Sequence, residues 1–233
     1  MPPLTRHSDH GIMPVDFDLY LITDRHQAKS ANLLETVEAA LQGGVRAVQL
    51  REKDLPPAEL YELAEALRQL TGRFQARLFI NDRVDIAVTV GADGVHLGEK
   101  SIPVQAARGI LGQAKLIGVS CHSLAGARSA EAAGADFITF GPVFFTRSKA
   151  IYGDPLGPEK LAAAAGLNIP VFGLGGITEG NIRQVLDAGA SGIALISAII
   201  AADQPQQATT TILGAIRHAR QPVHSLGTKE QLP

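Results

Sequence analysis

Four short junctions in this chain share one wording. Gly43-Gly44-Val45-Arg46-Ala47, Gly91-Ala92-Asp93-Gly94, Gly134-Ala135-Asp136-Phe137 and Gly189-Ala190-Ser191-Gly192 each place glycine after a helical pattern and then enter an apolar run. Glycine ends a helix cheaply, because it takes up the left-handed conformation without a Cβ clash. A recurring unit of helix, glycine and strand implies parallel strands joined by right-handed crossovers. Apolar runs recur at Leu19–Thr23, Ala47–Leu50, Leu78–Ile80, Gly94–Leu97, Leu116–Ser120, Phe137–Phe140, Pro170–Leu174 and Gly192–Ile196. Helical patterns alternate with them at Leu33–Leu41, Pro57–Leu70, Val84–Val90, Pro103–Leu111, Leu124–Ala133, Pro158–Ala165, Asn181–Ala188 and Gln206–His218. Eight such units in 233 residues predict an α/β fold, a single (β/α)8 or TIM barrel. The competing open, doubly wound sheet wants a glycine-rich fingerprint after its first strand, and Leu21-Ile22-Thr23-Asp24-Arg25 has none.

Composition narrows the rest. The formal net charge of −2 gives no basic footprint for nucleic acid. A single cysteine, Cys121, leaves no room for an internal disulfide framework or a cysteine metal cluster. No apolar run approaches the ~20 residues of a membrane span, and the opening MPPLTRHSDHGIMP lacks a signal-peptide core. A cytoplasmic protein without membrane or nucleic-acid partners is therefore expected, with residues 1–17 as a flexible arm, 18–220 as the barrel and 221–233 as a flexible tail.

In a parallel barrel the chemistry lies where strands end. Ala47-Val48-Gln49-Leu50-Arg51-Glu52-Lys53 is a buried strand that turns polar, and its period of two points Gln49, Arg51 and Lys53 the same way. Arg51 and Lys53 are either solvated loop residues or the fork and point charge that meet a phosphate or diphosphate. Other strand tops are polar too: Thr23-Asp24-Arg25, Asn81-Asp82-Arg83, Ser120-Cys121-His122 and Gly175-Gly176. A purely structural barrel has no need for this convergence, which favours an enzyme.

Asp82 is a candidate ligand for Mg²⁺, which takes one or two carboxylates together with substrate oxygens and water; Asn81-Asp82 could equally cap the helix that follows. His96, in mid-strand, reads as a buried neutral histidine satisfied by a carbonyl, or as a catalytic group. His122, just past its strand, is a candidate proton shuttle. Cys121 alternates away from Ser120 and His122 and should pack outward. The long loop from Gly141 to Gly157 carries Thr146, Ser148 and Lys149, two hydroxyls and a cation suited to a second anion. Gly175-Gly176 and the Ile196-Ser197 pair after the last two strands suit a backbone phosphate cradle.

Several motifs, taken in order, resemble one family. They are Gln49-Leu-Arg51-Glu-Lys53, Asn81-Asp82-Arg83-Val-Asp85, Gly94-Val-His96-Leu-Gly98, Gly118-Val-Ser120-Cys-His122, Gly141-Pro-Val-Phe-Phe-Thr146-Arg-Ser148-Lys149 and Gly173-Leu-Gly175-Gly176-Ile. Over about residues 18–219 the chain resembles the thiamine-phosphate synthase family, which includes the related thiazole tautomerases. The resemblance implies joining of hydroxymethylpyrimidine diphosphate to a thiazole phosphate, with release of diphosphate and Mg²⁺ as cofactor. It implies that Gln49, Arg51, Lys53, Asn81 and Lys149 hold the pyrimidine diphosphate and that Asp82 binds the metal. It places Ser120 beside the leaving group, and Thr146, Ser148, Gly175, Gly176, Ile196 and Ser197 around the thiazole phosphate. Ser120, Lys149 and His122 are the catalytic candidates; the partners are small phosphorylated substrates and, as a possibility, further copies of the chain.

One departure from the family pattern stands out. His96-Leu97-Gly98-Glu99-Lys100-Ser101 carries Ser101 where the resemblance places a second metal-binding aspartate, and Lys100 adds positive charge nearby. Both weaken Mg²⁺ binding, with Glu99 as the alternative carboxylate. Two further readings remain beside the synthase: a tautomerase acting on a carboxythiazole phosphate through His122, and a non-enzymatic, phosphate-binding regulatory barrel.

Overall fold

The structure is a computed structural model, and it describes residues 14–30, 32–146 and 154–221. Eight parallel strands close into a barrel in sequence order. They are β1 Leu19–Ile22, β2 Ala47–Leu50, β3 Arg77–Asn81, β4 Gly94–Leu97, β5 Leu116–Cys121, β6 Phe137–Phe140, β7 Val171–Leu174 and β8 Gly192–Leu195, with β1 pairing with β8 to complete the ring. Helices α1 Leu33–Gln42, α2 Pro57–Arg73, α3 Val84–Thr89, α4 Val104–Leu111, α5 Leu124–Ala132, α6 Gly157–Ala165 and α7 Ile182–Asp187 fill the crossovers. A short α8, Ser197–Ile200, precedes α9, Pro205–Arg220, which packs against α1 and α7.

Local chemistry sets the boundaries. Asn32 caps α1 by accepting from the Leu34 N–H at 3.0 Å, and Ser123 caps α5 through the Gly126 N–H at 3.1 Å. Prolines open α2 and α9, where a missing N–H costs nothing. The helix expected from Asn181 begins at Ile182, because Thr178 and Asn181 form a capping box around a single 3-10 turn. The expected strand Gly192–Ile196 stops at Leu195, and the chain turns at once into α8.

The recurring junctions do more than end helices. Asp93 accepts from the Leu78 N–H at 2.8 Å and from Arg68 at 2.6 Å. Asp136 repeats the arrangement one unit on, with the Ile117 N–H and Arg108 each at 2.6 Å. Ser191 does the same through its hydroxyl for the Val171 N–H at 3.3 Å, while its backbone carbonyl takes up Arg220 at 2.5 Å. The residue after Gly-Ala therefore satisfies an N–H at the start of the preceding strand, where an unpaired donor would be costly.

Two apolar layers follow from strand alternation. Outward residues such as Leu21, Val48, Ile80, Val95 and Ile138 meet the helices. Inward residues Tyr20, Ile22, Ala47, Phe79, Leu116, Phe137, Phe172 and Ala194 fill the barrel with Phe17, a residue only 6% exposed. Phe17, at the end of the segment expected as an arm, plugs the N-terminal mouth: it stacks on Phe172 at 5.0 Å and meets Phe137 edge-on at 5.7 Å. Asp16 beside it pairs with Arg77 at 2.8 Å. Such aromatic pairs add about 0.5–1.5 kcal/mol each beyond burial alone. Among the described residues no helix is long and apolar enough to cross a membrane.

Candidate active site

At the opposite, C-terminal mouth, the inward positions become polar. Register explains the gathering. Leu50 pairs with Ile80, so Arg51 emerges beside Asn81; Asn81 pairs with His96, and Ser120 with Thr139. Residues from five successive strands thus share one rim.

The β2 end separates its charges by alternation. Glu52 turns away from the mouth and is buried, accepting from Thr23 Oγ1 at 2.7 Å, from the Arg25 N–H at 3.1 Å and from the Arg25 guanidinium at 3.2 Å. Arg25 is further saturated by Asp54 at 2.6 Å. Thr23 Oγ1 also holds the Arg51 N–H at 2.9 Å, which fixes the turn. Among the described residues no carboxylate pairs with the side chains of Arg51 or Lys53, although most nearby arginines have one. Half-buried Arg51 and exposed Lys53 therefore present uncompensated positive charge at the rim.

Asp82 stands next to them with φ +60°, a left-handed conformation that aspartate tolerates better than most residues. Asn81 Nδ2 donates to its Oδ2 at 2.8 Å, while the Gly98 N–H at 3.4 Å and the Ser101 hydroxyl converge on Oδ1. Gly98 N–H also donates to Ser101 Oγ at 2.6 Å. The capping role open to Asn81 is not what it does: α3 has no side-chain cap, and Asn81 steadies Asp82 instead. Arg83 is taken up by Asp85 at 2.6 Å. Ser101 lies against the very carboxylate that the motif assigns to a metal. The donors here are all oxygen, which suits a hard cation. Among the described residues no cluster of three or more His, Cys, Asp or Glu could hold one without further ligands. Asp82 with Ser101 therefore fits a Mg²⁺ that draws its other ligands from substrate and water.

Below the rim, His96 is 1% exposed and its pKa is pushed down to about 3, chiefly by burial, with Asp82 opposing and Arg51 assisting. It is neutral, as expected, but hydroxyls rather than a carbonyl satisfy it: Tyr20 at 3.4 Å on Nδ1, and Ser120 at 3.0 Å and Thr139 at 3.4 Å on Nε2. Gln49, also 1% exposed, donates to Tyr20 at 3.0 Å. Ser120 is half-buried above them. Tyr20 and Thr139 escape the sequence reading; the signal for Tyr20 was its inward register on the first apolar run. Gly118 makes this layer possible, since a Cβ there would collide with the Phe137 ring and lie 2.6 Å from His96 Nδ1.

His122 is exposed and donates from Nδ1 to the Gly141 carbonyl at 2.5 Å. A carbonyl can only accept, so His122 Nδ1 carries a proton. Cys121 packs outward as expected, and burial pushes its thiol up to about 12, with Glu99 adding to the shift.

The β6 and β7 ends lie together. The Val143 N–H donates to the Leu174 carbonyl at 2.8 Å and the Phe144 N–H to the Gly175 carbonyl at 3.0 Å. Gly176, at φ +64°, lies so close to Phe144 and Phe145 that a Cβ would meet the Phe145 oxygen at 2.6 Å. Phe145, the residue before Thr146, is thereby brought against Gly176. Leu174 pairs with Ala194, which carries Ile196 and Ser197 to the same side; the Ser197 hydroxyl donates to Gln27 at 2.5 Å. Ser148 and Lys149 lie outside the described residues.

Fold and rim together define a barrel enzyme with its chemistry at the C-terminal strand ends. Residues 19–199 match the family described as Thiamine monophosphate synthase, and the chain belongs to that family. A candidate thiamine-phosphate synthase of Geobacter sulfurreducens is 62% identical over 87% of this chain and 95% of its own length. The thiamine-phosphate synthase of Clostridium novyi is 41% identical over 86% of this chain and 98% of its own. Among solved structures, thiamine phosphate pyrophosphorylase from Pyrococcus furiosus superposes with a TM-score of 0.81 at 39% identity, covering 88% of this chain and 98% of that one.

Proposed function

We infer that this chain is a thiamine-phosphate synthase, joining hydroxymethylpyrimidine diphosphate to a thiazole phosphate and releasing diphosphate. The observation that carries the residue-level reading is the pair Arg51 and Lys53, without carboxylate partners, beside the ordered Asp82 carboxylate. In the reaction the bond between the pyrimidine methylene and the diphosphate oxygen breaks, and its electron pair leaves with diphosphate. The thiazole nitrogen donates its lone pair to that methylene and forms the new C–N bond. No protein nucleophile is required.

The rim answers the charge that develops. Arg51 and Lys53, with Lys149 from the loop, neutralise the departing diphosphate, where fixed donors act most strongly. Asp82, steadied by Asn81 and Ser101, would hold Mg²⁺, which when bound supplies further positive charge to the diphosphate oxygens. Gln49 and Ser120 meet the pyrimidine from below. Thr146, Ser148, Gly175, Gly176, Ile196 and Ser197 frame the thiazole phosphate. His122 is the proton shuttle at the β5 end. These small phosphorylated molecules are the partners, and the reaction belongs to the cytoplasm.

The test supplies the purified full chain with both substrates and Mg²⁺ and measures thiamine phosphate. Condensation that stops on Mg²⁺ removal and in Lys53→Ala is the expected result. No product, with accelerated isomerisation of a carboxythiazole phosphate, overturns the inference.

A further inference from the structure

The run Arg51-Glu52-Lys53-Asp54 alternates cation and acid. In a loose turn such a run tends to neutralise itself, since every cation has an acid beside it. Here the acids are held elsewhere, by the end of β1. The Arg25 guanidinium meets Glu52 Oε2 at 3.2 Å and closes on Asp54 with parallel bonds of 2.6 and 2.7 Å. Lys53 lies between the two anchored residues. Backbone groups tie the same two segments together. The Thr23 N–H reaches the Gln49 carbonyl at 2.9 Å, the last rung of the β1–β2 ladder. Where that ladder stops, the Thr23 hydroxyl takes the next N–H, that of Arg51, at 2.9 Å and gives its own proton to Glu52 Oε1 at 2.7 Å. Glu52 in turn receives the Arg25 N–H at 3.1 Å on both oxygens. The direction of these bonds is fixed by chemistry. A backbone N–H or a guanidinium can only donate, so the Thr23 oxygen accepts from Arg51 and its single proton goes to Glu52. Thr23 and Glu52 are buried, so water does not stand in for either partner. Ile22 points into the barrel, and Thr23 and Glu52 alternate away from the mouth, where they touch no substrate.

We propose that Thr23, Arg25 and Glu52 are positioning residues, a template at the β1 end that holds the β2 turn so that Arg51 and Lys53 face the diphosphate before it arrives. The proposal rests on the synthase reading for its ligand. Arginine and lysine lose much rotational freedom when they are ordered around an anion, and a turn fixed in advance lowers that cost. Thr23 fixes the backbone at Arg51. Arg25 fixes the residues on either side of Lys53. Glu52 joins the two, because it accepts from both. The three act through the cations they place.

Calorimetric titration of inorganic diphosphate into the full chain with Mg²⁺ tests this without turnover. Thr23→Val keeps shape and charge but loses the hydroxyl, and should weaken binding about tenfold; Thr23→Ser, which keeps the hydroxyl, should retain most of the affinity. Glu52→Gln separates positioning from charge. Loss of a negative charge between two cations tightens anion binding through space, whereas loss of the anchor of the turn weakens it, and weakening is the expected result. In turnover, Thr23→Val should raise KM for hydroxymethylpyrimidine diphosphate and leave KM for the thiazole phosphate unchanged, a split that general loosening of the barrel does not give. Arg25→Lys, at a partly exposed position, keeps the charge but loses the fork, and should weaken diphosphate binding several-fold; it decides the matter where a buried variant does not fold. Unchanged affinity in Thr23→Val or Arg25→Lys, equal loss in Thr23→Val and Thr23→Ser, or tighter binding in Glu52→Gln overturns the proposal and leaves the synthase reading standing. Wild-type protein that takes up no diphosphate overturns both.

Discussion

The two mouths of the barrel are built from the same eight strands and the same inward positions, yet they differ in almost every side chain. At the N-terminal mouth Phe17, Phe79, Phe137 and Phe172 interlock and exclude water. At the C-terminal mouth those positions become Gln49, Asn81, His96, Ser120 and Thr139, with Arg51 and Lys53 above them. One layer up from a hydrocarbon-like interior, the chain spends burial on groups that stabilise nothing as well as a leucine would. That contrast separates stability from chemistry along a single axis. His96 lies on the border, buried like the floor and polar like the rim.

The contrast can be broken or sharpened by substitution. Arg51→Ala should lower the condensation rate by about 10²–10³-fold, as removal of a fixed charge-stabilising donor does, while the urea midpoint stays near wild type. Equal loss of stability and activity would erase the division. Phe137→Ala should do the reverse, costing about 3–5 kcal/mol in denaturant titration, with the rate per folded molecule less affected. A smaller change is expected at the metal position. Ser101→Asp adds a carboxylate beside Asp82 and should tighten Mn²⁺ binding about tenfold, read by titration without substrate. An unchanged affinity would mean that Ser101, despite its contact with Asp82, is not at the cation's place.

The border residue is tested by pH. The folded pKa of His96 lies near 3, below its ordinary value of 6.5, with Asp82 and Arg51 as the facing charges. Between those values the unfolded chain binds a proton that the folded protein refuses. Stability is therefore fully present above about pH 6.5 and declines as pH falls toward 3, by about 1.4 kcal/mol per pH unit from this group. A His96→Gln variant should show a shallower loss over that window. Identical slopes would place the titrating group elsewhere.

The barrel was legible because its signal is repeated. Helix, glycine and strand recur, and Ala47–Leu50, Gly94–Leu97 and Phe137–Phe140 begin and end where their apolar runs do. The rim was legible for a related reason: polarity at the end of an apolar run is visible in one dimension, as at Gln49-Leu50-Arg51. What escaped depends on register between strands. Tyr20 looks like core until β1 is set beside β2 and across the barrel interior from β4, which brings its hydroxyl to Gln49 and His96. Asp93 and Asp136 read as junction polarity, and only the folded chain shows each carboxylate holding the N–H of the second residue of the preceding strand. Asn81-Asp82 was open between a metal ligand and a helix cap, because both roles use the same residue types just after a strand.

If the C-terminal mouth is where the doubly anionic substrate is met, its location can be read directly. Inorganic diphosphate with Mg²⁺, titrated into ¹⁵N-labelled protein, should shift the backbone amides of Arg51, Lys53, Asp82, Gly98 and Ser101, and leave Phe17, Phe79 and Phe172 at the floor unmoved. Shifts confined to the outer helices or the floor, or no saturable shift at the β2 and β3 ends, would contradict the division of labour between the two mouths.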